Sequence, residues 1–264
     1  MTSSSSRWGV LARRLAVALI LASSRVASML EARGWVESEQ PLWRQFEGDV
    51  EQALQAVPDG GTFVDLGGGR RCVYAAAVPR HRGVRLVAVD VSVDELALNE
   101  DADVKLVADV AHGLPFEDGG VDLLVSRVVL EHVDGVPEAV RQMARVIPPG
   151  GRTIHFMPGR WATFAVAARL LPFDVLLKVL HFAVPGSVGV VEFDVHYDHT
   201  EPVALERVFR EAGFRDVRIS WTAAQADYFK AFLPAYLVVA AYQTLVRRLG
   251  LRRLAAYVIV DARR

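Results

Sequence analysis

The sequence predicts an α/β fold with a seven-stranded, mostly parallel sheet that carries helices on both faces. From residue 62 onward, short apolar runs alternate with stretches that have helical spacing. The early runs are almost entirely apolar, which is typical of parallel strands buried on both faces. The 264 residues are enough for one large domain of this kind with additional segments.

Seven segments are predicted as strands because they are short, apolar and bounded by turn residues. In chain order they are Thr62–Leu66, Arg85–Val89, Val104–Ala108, Val121–Ser126, Arg152–Met157, Phe214–Trp221 and Ala255–Asp261. The clearest boundary precedes the fifth strand, where two prolines and two glycines occupy positions 148–151.

Helices are predicted between the strands from apolar residues at helical spacing and from end signals. Pro137–Ile147 has its apolar residues on one face. A later helix is expected to take Thr200 as its N-cap, to place Pro202 in its first turn and to stop at Gly213.

The N-terminal residues 1–50 are predicted to form a helical extension, and residues 51–264 to form the α/β domain. A helix from about Trp8 to Arg33 would place Arg13, Arg14 and Arg25 on its wet side. Its apolar run Leu15–Ala22 is too short to span a bilayer, which needs roughly 17–25 residues. A signal peptide is the alternative interpretation of the same residues.

The domain is predicted to contain two apolar insertions, at about 160–191 and 225–250. The second contains Tyr228–Val246, where Pro234 is expected to interrupt the helical hydrogen bonding. Both insertions could form a lid over a hydrophobic substrate or dock on a membrane surface. Four arginines that follow the second one (Arg247, Arg248, Arg252 and Arg253) would suit anionic lipid headgroups. A larger core or a homo-oligomer interface is the alternative.

Composition limits the class of partner and compartment. The formal net charge of −1 gives no support to a nucleic-acid surface. The single cysteine, Cys72, excludes an intramolecular disulfide and a cysteine-rich metal site. We expect a cytoplasmic location, with peripheral contact at the inner face of the membrane if the insertions bind lipid.

A glycine-rich loop follows the first strand, at Gly67-Gly68-Gly69, directly after Asp65 and Leu66. Glycines let the backbone turn sharply and approach a ligand closely. In open α/β sheets, ligands bind at the carboxyl ends of the strands, so this loop is a candidate binding site. A nicotinamide-binding loop would need glycine at position 72, where Cys72 stands, so that class is disfavoured.

Two further strands end in acidic residues, Asp90 and Asp109. A carboxylate at the end of the second strand can accept hydrogen bonds from both ribose hydroxyls of a nucleoside. One at the end of the third strand can reach an exocyclic amine of the base. Either residue alone could be an ordinary loop residue or helix N-cap, but the ordered combination with the glycine loop predicts a nucleoside site.

These segments together resemble class I methyltransferases that depend on S-adenosylmethionine (SAM), particularly the type 11, quinone-pathway group. The matching motifs are TFVDLGGG at 62–69, VAVDV at 87–91, the segment 108–118, VDLLVSRVVLEHV at 121–133 and MARVIPPGG at 143–151. The resemblance covers residues 60–158 well and 200–264 loosely. It implies a Rossmann-like fold and SAM as the cofactor.

The resemblance also assigns a SAM pocket. Gly67 and Gly69 would lie under the methionine part, with Asp65 organising the loop, Asp90 on the ribose and Asp109 on the adenine amine. The full cofactor-binding set is Asp65, Gly67, Gly68, Gly69, Asp90, Val91, Asp109, Val110, Ser126 and Arg127. The sequence departs from the family at Arg70-Arg71-Cys72, where small residues are usual.

Histidines are the candidate catalytic bases. His132 follows the fourth strand beside Glu131, near where cofactor and acceptor should meet, although a structural role would suit it equally. His155 lies within a strand, as a core histidine would. His196 and His199 belong to the polar segment Glu192–His199, which could be the rim of an acceptor pocket, a metal site or a solvated loop.

The predicted function is therefore SAM-dependent methyl transfer to a small, hydrophobic or lipid-linked acceptor, at a hydroxyl oxygen. The alternatives are a methyltransferase that modifies a soluble natural product or metabolite at O, N or C, and a non-catalytic SAM-binding protein. The sequence contains no residue spacing that would demand a metal.

Overall fold

The computed structural model describes residues 4–163, 165–166 and 195–264. The chain divides into two compact units. The sheet unit comprises Gln40–Val166, Phe193–Thr222 and Arg252–Arg264, and the helical unit is described at residues 4–39 and 223–251. Most of the predicted insertion at 160–191 lies outside the described residues, and the predicted domain boundary at residue 50 falls within a helix of the sheet unit.

Seven strands form one sheet in the order β3-β2-β1-β4-β5-β7-β6. They are β1 (Thr62–Leu66), β2 (Arg85–Asp90), β3 (Val104–Val107), β4 (Leu123–Arg127), β5 (Arg152–Pro158), β6 (Arg218–Thr222) and β7 (Tyr257–Arg263). The first five are parallel, whereas β7 runs antiparallel to both β5 and β6. The predicted seven-stranded, mostly parallel sheet is confirmed.

Helices of the sheet unit cover both faces of the sheet, whereas the first and the last of the described helices belong to the helical unit. Their bounds are α1 (Ser4–Ala32), α2 (Gln40–Ala56), α3 (Val93–Ala97), α4 (Val136–Val146), α5 (Pro202–Glu211) and α6 (Leu233–Arg248). Successive side chains of β5 point to opposite faces. The His155 ring lies 5.5 Å from that of Phe209 on α5, and the Phe156 ring lies 5.4 Å from that of Phe46 on α2.

The sixth strand begins later than predicted because Phe214 caps a helix. The amide of Phe214 donates to the Phe209 carbonyl at 3.1 Å and that of Gly213 to the Arg210 carbonyl at 3.1 Å. This is a Schellman motif, which requires the left-handed φ of +101° that Gly213 adopts. The Phe214 ring packs 5.3 Å from that of Phe209. The apolar side chain of Phe214 is therefore explained by its packing at the end of the helix, and it does not mark the start of a strand.

Two predicted helix starts are wrong. Thr200 is not an N-cap, because its hydroxyl donates to the Tyr197 carbonyl and α5 begins after Glu201, which makes no side-chain capping bond. Pro234 does not interrupt a helix, since it occupies the first turn of α6, where its missing N–H is not needed. Residues Ala226–Phe229, at the start of the predicted helix, form a separate 3-10 turn.

The helical unit is held together by contacts between α1 and α6. The Tyr236 hydroxyl donates to the Ala27 carbonyl at 3.2 Å, and both residues are fully buried. Lys230 pairs with Glu31 at 2.8 Å. Arg14 and Arg25 are exposed on α1, as predicted. Within the ranges described above, no helix combines the length and the apolar character that crossing a bilayer requires.

Candidate active site

The glycine loop after β1 is folded onto the end of β2. The amides of Gly67 and Gly68 both donate to the Val89 carbonyl, at 2.7 and 3.2 Å. The Gly69 amide donates to a carboxylate oxygen of Asp90 at 3.0 Å. The loop and the strand-ending acid that the sequence singles out are thus directly bonded.

Gly67 brings this loop against the residues that follow β4. It adopts a φ of +74°, and a Cβ at this position would lie 2.3 Å from Cγ2 of Val129. Any other residue would both strain the backbone and clash with that side chain. The tips of β1 and β4, which are neighbouring strands, are therefore packed together at this point.

Asn99 holds the glycine loop in place through its side chain, and its sequence context does not predict this role. The side chain is fully buried, and its amide nitrogen donates to the carbonyls of Gly68 and Gly69 at 3.1 and 2.9 Å. Its oxygen accepts from the amides of Asp101 and Ala102, both at 3.0 Å. An asparagine followed by two acidic residues resembles an ordinary turn, so only its burial reveals this role.

The unusual residues after the loop contact neighbouring acidic side chains. Arg70 makes a bidentate pair with Glu95 on α3, at 2.6 and 2.7 Å. Cys72 is buried, and its amide donates to Asp101 at 3.0 Å. Asp65 is also buried, and burial raises its pKa to about 6, although a hydrogen bond from Cys72 and the charge of Arg127 oppose that shift. Cys72 is therefore part of the packing beneath the loop.

The two acids lie on adjacent strand ends. The Ala108 amide donates to the Asp90 carbonyl at 3.0 Å, which brings Asp109 beside the end of β2. Asp90 also accepts from the Ser92 amide at 2.9 Å. Asp109 accepts from the Ala111 amide at 2.9 Å and lies 2.8 Å from Nδ1 of His112. His112 is a second residue that the sequence analysis misses.

The remaining residues of the predicted pocket differ in exposure. Val91, after β2, is exposed, whereas Val110, after Asp109, is buried in the core. The Arg127 guanidinium lies 5.5 Å from the ring centroid of Trp43 on α2, a cation–π contact. Trp43 is a third residue that the sequence analysis misses, because its partner is 84 positions away in the chain.

Ser126 belongs to a buried hydrogen-bond network with His155. The hydroxyls of Ser126 and Thr153 lie 2.7 and 2.6 Å from Nδ1 and Nε2 of His155. Thr153 donates its only hydroxyl hydrogen to the Leu124 carbonyl, so Nε2 carries the imidazole proton and Nδ1 accepts from Ser126. Burial lowers the pKa of His155 to about 3. His155 is therefore a neutral, fully bonded core histidine.

His132 lies in a 3-10 turn, Leu130–His132, that follows β4. The turn is entered through Val128, whose φ of +57° is rare for a β-branched residue. The side chain of His132 is 30% exposed, and its Nε2 lies 4.0 Å from Oε1 of the buried Glu131. His132 therefore lies in the turn that follows Val129, the residue against which Gly67 packs, and it is partly open to solvent.

Residues 195–200 lie against this turn through backbone contacts. The amides of His196 and Tyr197 donate to the Glu131 carbonyl at 2.8 and 3.0 Å. Nδ1 of His199 lies 2.6 Å from a carboxylate oxygen of Asp198. The structure therefore brings His196 to the same turn as His132. Among the described residues, no three His, Cys, Asp or Glu side chains are placed to hold a metal ion, and Glu192 and Asp194 lie outside them.

Comparison with known sequences identifies methyltransferases. Residues 64–155 match a family model described as a methyltransferase domain. A demethylmenaquinone methyltransferase of Mycolicibacterium gilvum is 40% identical over 186 residues, which cover 67% of this chain and 76% of the relative. An uncharacterized methyltransferase of a Mycobacterium species (strain KMS) is 36% identical over 106 residues, and there the match spans only 41% of the relative's length.

Comparison with solved structures supports the fold. A geranyl diphosphate C-methyltransferase of Streptomyces coelicolor A3(2) superposes with a TM-score of 0.52 at 18% identity, over 83% of this chain and 80% of that one. A Haemonchus contortus phosphoethanolamine N-methyltransferase gives a TM-score of 0.53 at 15% identity, over 84% and 53% of the two chains. At this level of identity the likeness concerns the fold alone.

Proposed function

Because the chain belongs to the class I SAM-dependent methyltransferases, we propose that it transfers a methyl group from SAM to the hydroxyl oxygen of a small, hydrophobic or lipid-linked acceptor. The observation that carries the proposal is the clustering of the glycine loop, Asp90 and Asp109 at the carboxyl ends of neighbouring strands. This is where open α/β sheets bind their ligands.

The residues at this edge fit SAM. Each carboxylate oxygen of Asp90 accepts one backbone N–H and keeps a lone pair for a ribose hydroxyl. A Cβ at Gly69 would make no contact closer than 3.7 Å, so the loop leaves space on that side. We assign the adenine amine to Asp109, with Val91 and Val110 beside the nucleoside. The methionine end is assigned to Gly67, Gly68 and the backbone groups of Ser126 and Arg127, with Asp65 beneath the loop.

SAM, when bound, supplies a sulfonium whose methyl carbon is already a strong electrophile. The protein's task is then to hold the acceptor oxygen in line with that carbon, and positioning of this kind can supply roughly 7–11 kcal/mol. A hydroxyl must also lose its proton, for which a base contributes about 10²–10⁴-fold. We assign this role to His132, whose turn follows Val129, the residue against which Gly67 packs, and place His196 and His199 at the rim of the acceptor site.

The hydrophobic acceptor is supported by the relative that is 40% identical, which is named for demethylmenaquinone. It is also supported by the helical unit, which exposes apolar side chains on both of its long helices. On α1, Leu15, Leu19, Val26 and Met29 recur at helical spacing and are all exposed. On α6, Val238 and Leu245 are also exposed, and the exposed Leu249 directly follows this helix. Apolar stripes with neighbouring arginines are typical of helices that bind anionic membrane surfaces.

We therefore expect the protein to bind anionic vesicles through these stripes. The test compares the parent with the double variant Leu19→Glu, Val238→Glu, whose parent side chains are 68% and 71% exposed. Each substitution replaces an insertable side chain by a charge that anionic lipid repels, so co-sedimentation with phosphatidylglycerol vesicles at low salt should fall at least about tenfold. Leu98→Glu, in the sheet unit, where the parent side chain is 57% exposed, is the control. Equal sedimentation of parent and double variant would contradict the prediction.

The function itself is tested in two steps. Calorimetry should show binding of SAM and none of NADH. Incubation with methyl-labelled SAM and a lipid extract should then place the label in an organic-soluble product. Transfer only to water-soluble metabolites would contradict the hydrophobic acceptor, and SAM binding without transfer to any acceptor would indicate a non-catalytic binder.

A further inference from the structure

Glu131 is a buried carboxyl without a hydrogen-bond partner. Its side chain is 1% exposed, and no other residue that the structure describes donates a hydrogen bond to Oε1 or Oε2; only its own backbone amide acts on the carboxyl. Buried polar groups are almost always paired, because an unpaired one loses its hydration and gains nothing in return. An orphan carboxyl beside a candidate active site therefore points to a partner that is engaged only during function.

The backbone around Glu131 holds this side chain in place. Its own carbonyl accepts two N–H groups, from His196 and Tyr197, and the turn is entered through the left-handed Val128. Tyr197 itself adopts a φ of +51°. Two non-glycine residues near Glu131 thus adopt a rarely populated backbone conformation. Strain of this kind persists only where the surrounding structure enforces it.

The ionisable side chain beside this carboxyl is the next residue in the chain. Oε1 of Glu131 and Nε2 of His132 are 4.0 Å apart, slightly beyond a hydrogen bond, and His132 is partly exposed where Glu131 is not. Catalytic hydrogen bonds are often this long before the substrate binds and shorten in the complex. A small rotation of the imidazole would close the gap.

We propose that Glu131 is a positioning residue, whose carboxylate accepts the Nε2 proton of His132 and so directs the Nδ1 lone pair toward the acceptor hydroxyl. The inference rests on the proposed function, in which His132 is the base. A base that is oriented by a third group is the usual arrangement for activating a weak oxygen nucleophile.

The proton and charge balance follows from this geometry. Methylation forms an O–C bond and breaks the acceptor O–H bond and the methyl C–S bond of SAM, whose electron pair stays on sulfur. The released proton passes to Nδ1 of His132. The positive charge of the resulting imidazolium is stabilised by the Glu131 carboxylate, which accepts a hydrogen bond from Nε2. The proton then leaves the exposed ring to solvent.

Ionisation of Glu131 should control this pair. Burial raises the pKa of Glu131 to about 8, so at neutral pH the carboxyl holds a proton and the orienting form predominates at higher pH. Among the residues that the structure describes, titratable side chains on the elements packed against this turn include Arg152, His155, His196, Tyr197, Asp198 and His199. Of these, His155 stays neutral because it is buried.

The test follows the imidazole itself and needs no acceptor. In protein with ¹⁵N-labelled histidine, the His132 ring signals are assigned by their absence from His132→Asn and followed from pH 5 to 10. The parent should show an inflection near pH 8, which reports the carboxyl. Glu131→Gln should lack that inflection, because glutamine cannot ionise.

The controls separate this inference from the proposed function. Glu138→Gln, on the half-exposed surface of α4, should leave the His132 titration unchanged. If Glu131→Gln does not fold, Glu131→Leu provides the same comparison. Superimposable His132 curves for the parent and either Glu131 variant would overturn the inference. Calorimetry with SAM tests the proposed function independently, and Glu131→Gln should retain SAM affinity within about twofold.

Discussion

Replacing Asp90 with alanine is expected to weaken SAM binding by about 100-fold or more. Hydrogen bonds to a charged group contribute about 1.5–3 kcal/mol each, and we assign two ribose hydroxyls to this carboxylate. Losing both costs at least about 3 kcal/mol, which corresponds to a factor of about 100. The loss should be larger still because the same carboxylate holds the Gly69 amide, so the glycine loop loses a support.

Calorimetric titration with SAM and with S-adenosylhomocysteine measures this effect. Asp94→Ala is the matched control, since Asp94 is an exposed acid four residues further along, on α3. Its affinity for SAM should lie within about twofold of that of the parent protein. Asp90→Asn should fall between the two, because an amide oxygen can still accept one hydrogen bond. An Asp90→Ala protein that binds SAM as tightly as the parent would exclude our assignment of the ribose site.

The strands could be predicted because a strand buried on both faces appears in the sequence as a run of consecutive apolar residues. The run Thr62–Leu66 is buried at every residue, and its predicted bounds are those of β1. The position of β7 between β5 and β6 was not predictable in the same way. That order depends on cross-strand contacts such as the buried pair between Arg152 of β5 and Asp261 of β7, which are 109 residues apart.

The residues of the candidate site also fall into those that the sequence predicts and those that it does not. Asp90 and Asp109 were predictable because each directly follows an apolar strand, so position in the chain determines position in the fold. Asn99, Trp43 and His112 were not, because their importance lies in contacts rather than in spacing. Glu131 is the extreme case, since its neighbours in the sequence, Leu130 and His132, do not reveal that its carboxyl is buried without a partner.

Replacing Glu131 with glutamine is expected to make the protein markedly more stable than the parent at alkaline pH. Glutamine keeps the shape of the side chain and cannot ionise. Burial raises the pKa of Glu131 to about 8 in the folded protein, whereas an unfolded glutamate titrates at about 4.3. Between these values the folded parent holds a proton that the unfolded chain has lost, so its stability falls as pH rises.

The size of this effect follows from the shift. Each pKa unit corresponds to 1.36 kcal/mol, so the free energy of unfolding of the parent should fall relative to the variant by on the order of 4 kcal/mol between about pH 4.5 and 8.5. Asp65 and Glu39 also have pKa values raised by burial, to about 6 and 7, and lower the stability in the same direction. Their contributions cancel in the difference between the two proteins.

Urea unfolding at pH 5.5, 7.0 and 8.5 measures the difference, with Glu138→Gln as the control whose curve should run parallel to the parent's. Parallel curves for Glu131→Gln as well would show that the carboxyl ionises freely in the folded protein, and it would then be neither buried nor unpaired. The expected result has a functional meaning. A residue that lowers the stability of the fold as pH rises, although an isosteric amide would avoid the cost, fits a role in which its carboxylate acts on His132.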